Sequence, residues 1–257
     1  MNVLLLLAVI LFILMVLIGG KKGARSFFSL FLNFGVILLT ILFMLDPHIN
    51  SIIVTLIACV MISCINLFYI NEVNGKTITA FIATLITIII LLLFIHIVTK
   101  HTMIQGFGEE EIEELSIFSL YIGVDFVKIA ASVIIMSAIG AMMDVAISIT
   151  SSMHEIFHHN PLLGKKDLFR SGLNVGRDIL GTDTNTLFFA FFGGYLGLLI
   201  WFKDLSYSFG EIINSKVFSA EIITIFCSGI GIALIIPIAS WASAYSLTRT
   251  REKSQNM

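Results

Sequence analysis

GAMMDVAISITSSMHEIFHHNP, residues 140–161, is the stretch on which the reading of this chain turns. It begins as sequence apolar enough for a bilayer. Then Asp144 appears, followed by serines, Glu155 and three histidines, and the run closes on Asn160-Pro161. At 100° per residue, Ser137, Ser148, Ser151, Glu155 and His158 all fall within about 40° of Asp144 on a helical wheel, and Gly140 shares their side. The other sides carry Val, Ile, Met and Ala. A carboxylate facing lipid near the midplane costs at least about 2.5–3.5 kcal/mol. The polar stripe is therefore expected to face other helices or water. The same stretch holds His154-Glu155-Ile156-Phe157-His158, the HExxH spacing that puts two imidazoles on one helical face around a zinc ion.

The rest of the chain shows what kind of helix this is. Of 257 residues 58% are hydrophobic and 12% charged, with a mean hydropathy of +1.02. A soluble domain carries roughly 25% charged residues. The fold class is therefore an all-α polytopic transmembrane helix bundle. The net charge of −2 offers no footing for nucleic acid. Cys59, Cys64 and Cys227 each lie inside an apolar run and read as small packing residues, not as disulfides or thiolate ligands.

About 20 apolar residues span the hydrocarbon core. Seven spans are predicted, at about 3–18, 27–45, 51–70, 78–98, 122–143, 186–202 and 222–247. The first lacks the basic start of a signal peptide, and its cations, Lys21, Lys22 and Arg25, follow it; it is expected to be retained. With the N-terminus outside, eleven of the 15 Lys and Arg fall in inside segments, and Lys100, Lys203 and Lys216 fall outside. That asymmetry follows the positive-inside rule and places the C-terminus inside. The acidic run Glu109, Glu110, Glu111, Glu113 and Glu114 then faces outward, at the favourable N-terminal end of span five. Asp125 and Lys128 are spaced to pair on one helix.

By character the chain divides into four parts. Residues 1–98 form four apolar helices that read as scaffold, interrupted by Asn33, Asn66 and His96. Residues 99–121 form an acidic outer loop and helix start. Residues 122–247 hold spans five to seven with a motif-bearing inner loop at 159–185, and 248–257 is an inner tail. Thr182-Asp183-Thr184-Asn185-Thr186 precedes an apolar run and reads as the capped start of span six, with a polar mouth as the functional alternative. Gly193, Gly194 and Gly197 have the spacing of close helix packing, as do Gly229 and Gly231 beside Ser228, Ser240 and Ser243. Pro237 is expected to kink span seven and free a carbonyl.

MDVAISITSS at 143–152, Glu155-Ile156, Asn160-Pro161 and SGLNVGRDILGTDTNTLFFAFFGG at 171–194 resemble the YibE/F-like family of bacterial integral membrane proteins, on the short, YibF-like side. Asp144, Ser151, Asn174, Arg177, Asp178 and Asn185 match its motifs. His154 and His158 lie outside them, and Asp183 stands where an apolar or small residue is expected. The resemblance implies a bacterial plasma-membrane location and a sister membrane protein as partner, and it names no substrate.

Three functional readings follow. In the first, a permease-like protein moves an ion or small solute along Asp144, Ser148, Ser151 and Glu155. Arg177 is then counter-ion or anion clamp, Asn185 a polar gate, and Asn174, Asp178 and Asp183 complete the path. In the second, a non-catalytic subunit docks a sister protein or a second copy, its Asp144 face completing a shared site. In the third, HExxH forms an intramembrane zinc peptidase with His154 and His158 as ligands and Asp178 or Asp183 as the third. Outside that third reading no metal, cofactor or catalytic residue is expected, and the bilayer is the constant partner.

Overall fold

The computed structural model describes residues 3–106 and 125–255, without the side chains of 250–255. The acidic run at 109–114 and the predicted start of span five at Ile122 lie outside the described residues. Every element within them is helical. Five helices are long and apolar enough to cross a membrane, or six if one bent pair counts as a single crossing.

The first helix, α1 (Val3–Met44), holds two of the predicted spans in one continuous element that breaks at Gly20 (φ 56°, ψ −133°). Only glycine adopts that left-handed backbone without a steric penalty. The chain reverses there. The Phe12 ring lies 5.0 Å from Phe27, residues that a straight helix would hold about 22 Å apart. Gly23 passes against the Met15 carbonyl with no room for a Cβ. α1 is peripheral: Leu4, Leu17 and Phe31 are exposed apolar side chains, as lipid-facing residues must be.

The second helix, α2 (Ser51–Cys64), starts at Asn50, whose side chain accepts the Ile52 N–H, and continues as a π-turn through Ile65–Tyr69. Asn66 within that turn meets α1. Asn33 Nδ2 donates to Asn66 Oδ1 at 2.8 Å, so one hydrogen bond joins two of the polar insertions of the apolar half. Glu72, at φ 63°, ends the segment and pairs with Arg25 at 2.8 Å. A capping box between Asn74 and Thr77 starts α3 (Gly75–His101). Its buried Thr79, Thr84, Thr87 and Thr99 each donate to the carbonyl one turn back, which lets hydroxyls sit in an apolar interior without a partner helix.

Helix α4 (Phe126–His159) contains the quoted stretch in one piece. Asp125 caps it through the Val127 and Lys128 N–H groups and pairs with Lys128 at 3.1 Å, as its spacing predicts. It ends at Asn160, also as expected. Helix α5 (Lys165–Gly194) runs back along it. The motif-bearing stretch at 159–185 is therefore mostly helix, not loop. The predicted cap at 182–186 is also overturned: Thr184 and Thr186 donate to Leu180 and Thr182 carbonyls inside α5, and no free N–H end exists there to form a mouth. The break falls at Tyr195, where α5 bends 55° into α6 (Leu196–Asp204). A short α7 (Phe209–Asn214), capped by Ser208 and Glu211, precedes α8 (Lys216–Gln255). α8 runs through Pro237 without interruption and through most of the predicted tail.

The core is α4 against α8, with α3, α5 and α2 around them. Ile135, Ala138, Met142, Val145, Ala146 and Ile149 of α4 are fully buried. Cys59 and Cys227 are buried and Cys64 half-buried, all as free thiols. Gly231 of α8 admits Met142 and Leu91, at 3.0 and 3.2 Å from where its Cβ would stand. Gly193, Gly194 and Gly197 have nothing within 4 Å of such a position, so no described helix of this chain packs on them. The α5–α8 approach uses Gly172 and Gly176 instead. A Cβ on Gly172 would come 2.6 Å from Met153 and 2.7 Å from Ser240, and one on Gly176 would overlap Ile236.

Candidate functional site

α4 packs against α2, α3, α5 and α8, yet one side of it is open. Ala131, Ile134, Ala138, Ile149 and Met153 point into neighbours, whereas Asp144, Ser148, Glu155 and His158 are exposed and Ser137, Gly140 and Ser151 half-buried. The open side is the polar stripe itself. Asp144 lies 18 residues past the start of the helix and 15 before its end, about 27 and 22 Å along it. It is therefore far from both helix ends.

The stripe has distinct levels. Near the Asp125 end, Ser228 of α8 donates to Ser137 Oγ at 3.3 Å, which ties the stripe's first hydroxyl to the core. In the middle, Ser148 donates to the Asp144 carbonyl at 2.7 Å, so the hydroxyl is held by its own helix and keeps its acceptor capacity outward. Asp183, on α5, is half-buried. At the far end, Lys76 of α3 meets Glu155 at 3.4 Å, a partnership with no signal in the sequence beyond opposite charge.

The remaining predicted residues are spread along the outside of α5. Asn174, Arg177, Asp178 and Asn185 are exposed. Arg177 Nη1 donates to Asn174 Oδ1 at 3.4 Å, one turn back on its own helix. Among the described residues it forms no ion pair with Asp144, so the counter-ion role expected for it is not built within this chain.

The HExxH pair is engaged differently. His154 Nδ1 contacts the Thr150 carbonyl at 2.9 Å, and its Nε2 lies 3.4 Å from where a Gly75 Cβ would stand. His158 is exposed, its ring 5.8 Å from His159. Among the described residues no group of three or more His, Cys, Asp or Glu side chains converges on a point that would hold a metal.

A cavity of about 350 Å³ lies toward the Asp125 end, between α4, the Tyr195 bend and the start of α8. Phe126, Ile134, Val217 and Thr224 line it, and Tyr195 donates to Glu221 at 3.1 Å on its wall. Neither residue stood out in the sequence; a lone acid just ahead of an apolar run was the available signal. Asp144 lines neither this cavity nor the clefts near Trp201 and near Asp46. Asp125 borders the second of these clefts. Partial burial works to raise its pKa, but the hydrogen bonds and charge of Lys128, with the Val127 N–H, hold it below the usual carboxylate range.

No curated protein and no solved structure matches the chain. The family profile described as YibE/F-like protein matches residues 7–249, which takes in every element from α1 to the body of α8. The match covers both motifs of α4 and α5, and the chain is a member of the YibE/F-like protein family.

Proposed function

We propose that this chain is one wall of a permease-like membrane assembly that passes an ion or small polar solute along the α4 stripe, with a second membrane protein closing the path. The observation that carries the reading is that the central helix is buried on every side except the one bearing Asp144, Ser148 and Glu155. Polar groups in a bilayer are stable only against protein or water. A stripe that opens outward from the single-chain bundle therefore calls for a covering chain, a second copy or a sister family member, and water or solute between the two. The acids of the stripe, Asp144 and Glu155, favour a cationic passenger.

This reading takes the two arms of α1 as separate crossings and α5 with α6 as one. That makes seven spans, with the N-terminus outside and the C-terminus inside a bacterial plasma membrane. The positive-inside count supports it. The decisive experiment is ion flux in proteoliposomes holding the chain with its crosslinked partner. D144N is expected to abolish flux while leaving the complex intact; undiminished flux would remove Asp144 from the path. A subunit without transport of its own is the second reading, favoured by the same outward opening. Crosslinks from cysteine at Ser148 to a partner, with no flux for any monovalent or divalent cation, would select it.

A further inference from the structure

The end of the bundle that carries the α4–α5 turn has a cluster that the proposed path does not use. Trp241 and Tyr245 of α8 stack at 5.8 Å with planes 13° apart, and both are exposed. Lys165, the first residue of α5, places its ammonium 4.5 Å from the Tyr245 ring centre and 5.6 Å from that of Trp241. Arg249, one turn further along α8, sets its guanidinium 5.9 Å from the Tyr245 ring. Lys166 and Arg170 are on the same first turns of α5, against the single acid Asp167. Among the described residues none of these four cations forms an ion pair. The turn ahead of them presents Leu162 at 84% exposure, the highest of any large apolar side chain outside α1 among the described residues.

We infer that this cluster is a binding site for the headgroup of an anionic phospholipid. Cations over aromatic faces keep their remaining N–H donors for a phosphate, and Arg takes two phosphate oxygens at once. Stacked Trp and Tyr at a helix end where apolar sequence gives way to basic sequence sit at headgroup level. Leu162 and the outer face of Trp241 then meet glycerol and upper acyl carbons. A free phosphate would use the cations and leave those apolar groups in water, so the match is to lipid. The loop anchored this way joins α4 to α5, so the lipid would hold the two helices that carry Asp144 and Asp183.

The test is quenching of Trp241 by brominated lipid in the full-length chain carrying W201F, reconstituted in phosphatidylcholine vesicles. Brominated phosphatidylglycerol is expected to associate several-fold more strongly than brominated phosphatidylcholine. K165Q and R249Q are each expected to lower that preference about fivefold, the effect of one cation at a charged surface. K203Q, on α6 at the opposite end, is expected to leave it unchanged. Native mass spectrometry of the unsubstituted chain checks the same preference independently of any variant. Equal association of the two lipids, or full preference retained in both K165Q and R249Q, would overturn the assignment. So would loss of the preference on adding millimolar inorganic phosphate, which would make this a free-anion site.

Discussion

The bent pair α5–α6 carries the same glycine spacing twice. Gly172 and Gly176 are three residues apart in between, as are Gly193 and Gly197 across the Tyr195 bend. The first pair is pressed onto α8 and Met153, and the second stands in open space. In sequence the second pair is the more persuasive, lying in a pure apolar run beside a third glycine. The first is hidden among Asn, Arg and Asp. The contrast teaches that small-residue spacing permits close approach without causing it. What decides is whether another helix arrives, and at Gly172 and Gly176 it is α8 that does.

The contrast can be broken directly. G176L is expected to have the largest effect, because a side chain there must displace Ile236 and lever α5 off α8. Overpacking of this kind costs about 1–3 kcal/mol or more, read as a drop in unfolding midpoint in detergent. G176A is expected to lose less, and I236A to restore part of that loss, since the closest overlaps are with the Cγ2 and Cγ1 of Ile236, which alanine lacks. Additivity in that double-mutant cycle would mean the two residues do not touch. G193A, by contrast, is expected to be neutral or to stabilise by up to about 1 kcal/mol through helix propensity alone. A loss as large as that of G176A would erase the distinction between the pairs.

Smaller effects come from polar pairs, where placement again outweighs pattern. K76Q removes the partner of Glu155 in an exposed pair, and should cost at most about 1 kcal/mol, less in high salt. The Asp125–Lys128 pair should give the smallest signal, as a pH dependence. The Asp125 carboxyl has a folded pKa below its unfolded value. Its contribution is therefore complete above the unfolded value, near 4, and lost as pH falls through the lower folded one. D125N is expected to flatten that part of the stability–pH curve, and an unchanged curve would place the acid sensitivity elsewhere.

Much of the architecture was legible in the residues. Composition alone demanded a membrane helix bundle. Asn160-Pro161 stopped α4 where expected, because proline cannot extend a helix. Asp125 and Lys128 paired as their spacing required. The reversal between the first two predicted spans is placed at Gly20, ahead of Lys21, Lys22 and Arg25. The start of α5 was not legible in the same way. Thr, Asp and Asn at 182–186 have equal claim to cap a helix or to ride inside one. Thr184 and Thr186 ride inside, donating to carbonyls one turn back, because packing on α8 keeps α5 continuous from Lys165.

The polar stripe shows the division most sharply. Sequence by itself determined that Asp144, Ser148, Ser151 and Glu155 share one side of a helix, because helical periodicity is local and needs no other part of the chain. Whether that side is a sealed interior or an open wall depends on which directions α2, α3, α5 and α8 occupy. These contacts join residues far apart in sequence, such as Ser137 with Ser228 and Lys76 with Glu155. Only the tertiary structure decided that four helices enclose α4 and leave the Asp144 side uncovered.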